Sequence, residues 1–381
     1  MSEKDTAARK SDEQAGGDKS SISCHRNFLV PKTTFQWVLL AIVLIAVMFF
    51  YDGRQLFTSD SEEYAVSEPT LSPDNNKIIF SIREKGGPTN IGVYELPTGK
   101  FSKMNSTGKS CLSPIYSRDG KMIAFVQREK RDANVFIMSS DGTAPRQITY
   151  TDNKEGEIDH SYGSLPVYKI DALPSFSPDG QKIIYLQSRV KRKRSMGGEM
   201  ISHWDVHEVN IATGKQKQLT DFRFYSASRP YYLPDRQGFI FSASGAKGDI
   251  PEEMQTKNDN EILIMDGQRP YPHRAFEHET YAVEPSVSDK GHIAFVSRTN
   301  EYDGTKGPYT YDIFMRKADK TQRLTNEQFP ATIKGLPYIS FDGSLVVFLA
   351  SKSRNEAPGL WLVKTDGTEV KYIGQPWSTA K

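Results

Sequence analysis

Six times along its 381 residues the chain returns to one pattern: a proline, a turn of the Ser-Pro-Asp-Gly kind, then a short apolar run ending in an aromatic. The fullest copy is Leu173-Pro-Ser-Phe-Ser-Pro-Asp-Gly-Gln-Lys-Ile-Ile-Tyr-Leu186, and the others run Pro69–Phe80, Pro114–Phe125, Pro230–Phe241, Pro285–Phe295 and Pro337–Phe348. Proline and closing aromatic are eleven residues apart in every copy but the fifth, which is one residue shorter. Each copy continues into a second signature, such as Asn90-Ile-Gly-Val-Tyr94, Asn134-Val-Phe-Ile-Met138, Asp205-Val-His-Glu-Val209 or Asp312-Ile-Phe-Met-Arg316. A Gly-containing turn follows, and then often a polar stretch ending Gln-Ile-Thr149, Gln-Leu-Thr220 or Arg-Leu-Thr325. An internal repeat of this length decides the architecture before any other feature is weighed.

The chemistry of the repeat reads as four short strands. Ser, Pro and Gly at the first, second and fourth positions suit a type I turn. The apolar run after it, as in Lys182-Ile-Ile-Tyr-Leu186, does not alternate with polar residues, so both faces of that strand must be covered. A two-sheet sandwich would leave outer faces wet and the strands alternating. Four-stranded sheets stacked radially about an axis cover both faces and give a β-propeller. The expectation is an all-β, six-bladed propeller over residues 67–374, with blades near 67–105, 110–150, 171–221, 227–267, 282–326 and 334–374. Two segments could supply the outer strand of the last blade, Arg54-Gln-Leu-Phe-Thr58 and Thr368-Glu-Val-Lys-Tyr-Ile373. The C-terminal one is favoured, leaving residues 52–66 as a stalk and 375–381 as a tail.

The chain ahead of the repeats is of another kind. Residues 1–32 are polar, of mixed charge and nearly free of large apolar groups, a composition expected to stay disordered. Between Thr33 and Tyr51 there is no charged residue. As a helix this stretch would span roughly 28 Å, the thickness of a bilayer's hydrocarbon core. Trp37 and Tyr51 stand near its ends, where interfacial aromatics belong. Bulky Met48-Phe-Phe-Tyr51 occupies the place of a small-x-small cleavage site, so an uncleaved anchor is expected rather than a signal peptide. Lys19, Arg26 and Lys32 precede the stretch and acidic residues surround Arg54 after it, which orients the N-terminus to the cytoplasm. Cys24 and Cys111 would then lie on opposite sides of the membrane, unable to pair. A formal net charge of +2 argues against a nucleic-acid partner held by bulk electrostatics.

The Pro-x-x-Ser-Pro-Asp-Gly-x-x-Ile-x-Tyr pattern, followed by Asp-Ile-Tyr-type strands and Arg-Gln-Leu-Thr, resembles the TolB-like propeller repeat of bacteria over residues 67–374. The α/β domain that precedes the ring in TolB is not expected in this chain. The resemblance implies a bacterial cell-envelope protein whose propeller docks other proteins at the mouth of its central channel. With the apolar stretch at 33–51 it implies a single-pass inner-membrane protein with an extracytoplasmic, periplasmic propeller.

A search for catalytic constellations returns little. No Gly-x-Ser-x-Gly pentapeptide occurs, which argues against a prolyl-oligopeptidase-type hydrolase. His203, Asp205 and His207 would share one face of a strand, as metal ligands must. The repeat supplies a packing explanation instead, because Asp205 falls where Asn134 and Asp312 fall, and His207 where Phe136 and Phe314 fall. Similar propellers include metal-dependent pectate-type lyases, which makes an enzyme acting on acidic glycan the alternative reading. The dense basic run Arg189-Val-Lys-Arg-Lys-Arg194 fits that alternative, contact with anionic lipid, or a solvated hairpin.

Binding is expected at the channel mouth, where propeller loops converge. The residues before the six prolines, Glu68, Ser113, Leu173, Arg229, Glu284 and Leu336, are expected to start the innermost strands. Three are charged where an apolar residue would serve packing, and Asp171 and Lys334 lie close by. The long connections 150–170 and 268–281 are expected to reach the same end. The candidate site is therefore Glu68, Asp171, Arg229, Glu284 and Lys334, facing an envelope protein or a glycan. No catalysis, cofactor or metal is expected, with His203 and His207 the weak metal candidates.

Overall fold

The computed structural model describes residues 64–378 apart from segments 105–107, 152, 154–157, 160–164, 193–198, 235–237, 247–259, 277–280, 300–309, 327–328, 330–332 and 352–355. The apolar stretch 33–51 lies outside the described residues, as do the tail, most of the stalk and Arg54–Thr58. Among the described residues no helix is long and apolar enough to cross a membrane.

The six copies of the repeat are six antiparallel sheets, built in chain order from residues 64–104, 110–147, 158–218, 226–274, 282–323 and 333–374. In each the inner strand comes first in the chain, apart from the short Ile158–Asp159 strand of blade three, and among the described residues no sheet takes a strand from its neighbour. Blade one is Tyr64–Leu71, Lys77–Glu84, Thr89–Glu95 and Phe101–Met104. The outer strand of blade six is Lys371–Gly374, so the C-terminal strand fills the place that two segments competed for. Blade three is extended: Lys182–Arg192 and Glu199–Asn210 form a long hairpin, and Ile158–Asp159 pairs with the start of its inner strand.

The apolar runs behave as their lack of alternation requires. Ile183, Ile184, Tyr185 and Leu186 are all fully buried. Ile183 and Tyr185 enter one core cluster, while Ile184 and Leu186 enter another. Ile78 and Phe80 are divided from Ile79 in the same way. Each second strand thus feeds two inter-blade cores, one on each face. The Ser-Pro-Asp-Gly turn is a hydrogen-bonded unit as well. Ser177 donates to Asp179 at 2.5 Å and accepts the Lys182 N–H at 2.9 Å, and the Ser117, Ser72 and Ser340 turns repeat this. The serine hydroxyl holds the Asp179 carboxyl below the usual carboxylate range.

The residues before the prolines do not start their strands. Glu68, Ser113, Leu173, Glu284 and Leu336 sit within the inner strands, with φ between 54° and 58°. The pairing with the second strand slips at each of them. A positive φ in a non-glycine residue costs on the order of 1–3 kcal/mol and persists only when its surroundings enforce it. Here the neighbouring blade does so. The Ser113 N–H donates to Ser81 of blade one at 2.8 Å, and the Glu284 N–H to Ser242 of blade four at 3.1 Å. The Leu336 N–H donates to the Glu284 carboxylate of blade five at 2.6 Å.

Among the described residues no strand passes between blade six and blade one, and side chains join them. Trp377, beyond the last strand, is 1% exposed and packs edge-on to Phe80 of blade one at 5.3 Å between centroids. Phe80 in turn lies on Gly92, where any Cβ would stand 2.4 Å from the ring. Asn75 adds a hydrogen bond to Asp342 at 3.1 Å. Residues 375–378 are therefore part of the ring and not a free tail. Trp377→Ala is expected to cost about 3–5 kcal/mol, the usual range for deleting a buried aromatic. Equilibrium denaturant unfolding checks this against Tyr372→Ala, at an exposed position of the same blade, which is expected to cost clearly less.

Candidate functional site

Two recesses lie among the inner strands of the ring. Tyr231 of blade four and Tyr338 of blade six, with ring centroids 6.4 Å apart, line both. The recess nearer the inter-blade loops is lined by Glu68, Thr70, Arg229, Glu284 and three repeat prolines. It has about 20 Å³ of space for water-sized groups. The recess nearer the turns, lined by Tyr116, Arg118, Tyr232 and Phe341 among others, has about 30 Å³.

Three of the five expected site residues meet in the loop-end recess: Glu68, Arg229 and Glu284. Glu68 and Arg229 are each 5% exposed. Arg229 is the one pre-proline residue not held at positive φ, and its inner strand is split into Ser226–Ala227 and Tyr231–Tyr232 around it. Its Nη1 reaches the Pro114 carbonyl of blade two at 3.5 Å, which Thr70 also contacts at 3.2 Å. Glu68 accepts from Ser81 at 3.3 Å through Oε2. Glu68 Oε1 and Arg229 Nη2 are buried with no hydrogen-bond partner among the described residues. Charged groups left so are expensive, and apolar side chains would pack this position at less cost.

Asp171 and Lys334 stand elsewhere, in the contacts between blades. Asp171 is 1% exposed, accepting from Thr149 of blade two at 2.5 Å and from Gln187 at 2.9 Å. Burial pushes its carboxyl up to about 7, against the pull of those hydrogen bonds. Lys334 pairs with Asp312 of blade five at 2.7 Å, and Asp312 also holds Arg323 and accepts from Thr325 at 2.6 Å. These contacts explain the polar repeat positions. Thr149, Thr220 and Thr325 each accept a third-strand N–H, from Val135, Val206 and Ile313, and each donates to a carboxylate. Asp205 and Asp312 supply that carboxylate within their own blades; where blade two has Asn134, Asp171 of blade three supplies it.

The metal candidates are committed to the same scaffold. Asp205 accepts from Thr220 at 2.9 Å and from the Phe222 and Arg223 N–H groups at 2.9 and 3.2 Å. His207 packs against Tyr185 at 5.8 Å, and burial, with Lys169 nearby, pulls it down to about 4, so it is neutral at pH 7. The His203 carbonyl accepts from Ser188 at 2.6 Å. Among the described residues no three His, Cys, Asp or Glu side chains gather as metal ligands would. The connection 268–281 is also not all loop, because His273–Arg274 forms the outer strand of blade four, where Arg274 pairs with Glu261 at 2.6 Å. In the basic hairpin, residues 193–194 lie outside the described residues.

One group at the axis escaped the sequence reading. Arg118 of blade two forms an ion pair with Asp289 of blade five at 2.5 Å, across the ring, and its guanidinium lies 5.9 Å from the Phe341 ring of blade six. The Asp289 N–H also donates to the Phe341 carbonyl at 2.8 Å. These three residues occupy the turn position held by Pro73, Pro178 and Pro234 in the other copies. Their departure from proline was the available signal.

Asp171 yields a pH test. Its carboxyl has an ordinary value of 3.8 and stands at about 7 in the fold, so the native state holds more protons between those values. Stability should therefore fall as pH rises from about 4 to about 7, by on the order of a few kcal/mol. In Asp171→Asn, part of that fall should vanish, as read from urea unfolding at pH 5 and pH 8.

No family model matches the chain. It is 24% identical over 273 residues to the Tol-Pal system protein TolB of Francisella tularensis subsp. holarctica, covering 59% of this chain and 62% of that one. The chain thus spans less than two thirds of that relative's length. Among solved structures, TolB from Acinetobacter baumannii matches with a TM-score of 0.53 at 16% identity, covering 91% of this chain and 71% of that one. An oligogalacturonate lyase in complex with manganese matches with a TM-score of 0.51 at 13% identity, covering 84% of this chain and 80% of that one. The two solved propellers share the fold, and the sequence matches include, beside TolB, the uncharacterized peptidase YuxL of Bacillus subtilis, 24% identical over 246 residues and covering 56% of this chain and 34% of that one. In fold and in repeat, the chain is similar to the TolB-like β-propellers.

Proposed function

We propose that the chain is a membrane-anchored interaction scaffold of the bacterial cell envelope, engaging a protein partner at the loop end of its propeller axis. The observation that carries this reading is the buried, incompletely paired set of Glu68 and Arg229 beside Glu284, at a position where the fold needs no charge. Such a set is more readily accounted for by recognition than by stability. Exposed Tyr150 and Tyr225 lie in the connections before and after blade three, and aromatics of this kind are frequent interface anchors. The Francisella relative is a Tol-Pal system protein, which supports placing this chain in an envelope assembly.

The anchor is residues 33–51, with the N-terminus in the cytoplasm and the propeller on the far side of the inner membrane. Its support is the uncharged span and the basic residues before it. The alternative, an envelope enzyme acting on acidic glycan, draws on the likeness to the lyase fold and on the basic hairpin. Against it, Asp205 and His207 are already engaged by Thr220 and Tyr185.

Two measurements test the proposal. The full chain should resist carbonate extraction from membranes, and removal of residues 33–51 should release it; a full chain extracted as easily as the truncated form contradicts the anchor. Arg229→Met, confirmed folded by its melting profile, should recover at least tenfold less of the partner bound by wild type from solubilised envelopes. Equal recovery contradicts the site. A stoichiometric metal in the purified propeller, lost on His207→Ala, would favour the enzyme instead.

A further inference from the structure

The basic run of blade three takes no part in the recess at the axis, and its place in the fold says what it faces. In blade one the start of the inner strand pairs with the end of the second strand, Tyr64 opposite Glu84. Blade three repeats this with Val167 opposite Lys191, and its second and third strands join beyond Arg192 and Glu199. Successive blades repeat one strand order about the axis, so these are the same end of the ring. The chain therefore enters the propeller on the side toward which the basic hairpin projects. In the other five blades the second strand runs three or four residues past the closing aromatic, as from Phe348 to Ser351 or from Phe80 to Glu84. Here it runs seven, from Tyr185 to Arg192. The surplus is roughly 10–13 Å at about 3.3 Å per residue.

We infer that this hairpin is an electrostatic contact with an anionic lipid surface, laid against the membrane in which the chain is anchored; the inference rests on the anchored reading. Residues 189–199 carry five basic side chains, Arg189, Lys191, Arg192, Lys193 and Arg194, against the single acidic Glu199. Glu155, Glu157 and Asp159 precede the blade, so the positive excess belongs to the hairpin and not to the blade as a whole. Arg189 is exposed and stands directly opposite Lys169 on the neighbouring strand. Like charges so placed cost a sheet stability, and an anionic surface offsets that cost. Residues 52–63 separate the proposed anchor from Tyr64 and span at most about 40 Å, which makes the encounter with headgroups intramolecular. Attraction to those headgroups falls off within a Debye length of about 8–10 Å, so projection beyond the other blades is what brings these charges into range. An acidic glycan would meet the same charges but gives no reason for them to lie on the side where the chain enters.

The test uses the full chain in vesicles. Ser195→Cys with Cys24→Ser leaves one accessible thiol for a fluorophore, because Cys111 is buried. A quencher is carried on lipid headgroups, in vesicles of phosphatidylcholine alone or with one-third phosphatidylglycerol. Quenching is expected to rise at least twofold in the anionic vesicles. The rise should vanish when Arg189→Gln, Lys191→Gln and Arg192→Gln are combined, and also in about 0.5 M salt, which cuts the Debye length by about half. The same label at Lys121→Cys, at the turn end, should show no rise. Equal quenching in both vesicles, a rise that survives salt and the triple variant, or an equal rise at position 121 overturns the inference. So does release of the hairpin by soluble polygalacturonate at a charge concentration below that of the lipid, which would assign it to acidic glycan. Flotation separates this outcome from the anchor: a chain that floats with neutral vesicles yet shows no rise removes only the hairpin contact. A chain that floats with anionic vesicles alone, with the rise intact, removes only the anchor.

Discussion

Everything in this ring depends on the second strand of each blade being buried on both faces. A sheet whose Ile183 and Tyr185 face one neighbour while Ile184 and Leu186 face the other cannot be completed by its own residues. The blades are therefore stable only as a closed stack, and the contacts between them matter more than those within any one. Backbone strain is distributed on the same terms. Five inner strands carry a residue at positive φ, and at three of them a hydrogen bond from the preceding blade holds the strained N–H. Where blade six meets blade one, Trp377 and Phe80 supply apolar contact.

The polar residues of the repeat sort into two kinds on this view. One kind recurs because it holds a blade together: the Ser–Asp turn, and the threonine that joins outer strand to third strand through a carboxylate. The charges follow its needs. Asn134 is answered by Asp171 from the next blade, whereas Asp312, already supplied with a carboxylate, is answered by Lys334. The other kind is found in single copies and meets at the axis: Glu68, Arg229 and Glu284 toward the loops, Arg118, Asp289 and Phe341 toward the turns. The Arg118–Asp289 pair ties opposite blades across the turn end.

Much of the fold was legible in the sequence because its signals are local and repeated. Turn chemistry, non-alternating apolar runs and the C-terminal strand of blade six could all be read from residue type and spacing. The candidate site was legible only in part. Glu68, Arg229 and Glu284 stood out as charges in place of packing residues, and they do line the axis. Asp171 and Lys334 were misjudged because the strand slips at Leu173 and Leu336, which breaks the alternation that would have kept them with the axial residues. Nothing in Leu, Glu or Ser announces a positive φ, for which glycine is the usual mark. Arg118 and Asp289 were missed because their pairing spans opposite blades, a distance no linear pattern encodes.

The central claim is that single-copy residues at the loop end of the axis, and not the shared scaffold, face the partner. Site-specific photo-cross-linking in intact cells tests it most directly, with the photoreactive residue placed in turn at Tyr150 and Tyr225 in the connections before and after blade three, Lys121 on the turn end and Tyr372 on the outer edge. The account predicts discrete adducts from positions 150 and 225 that disappear when Arg229 is replaced by methionine in the same chain. Adducts arising only from positions 121 or 372, or adducts at 150 and 225 indifferent to Arg229, would contradict it.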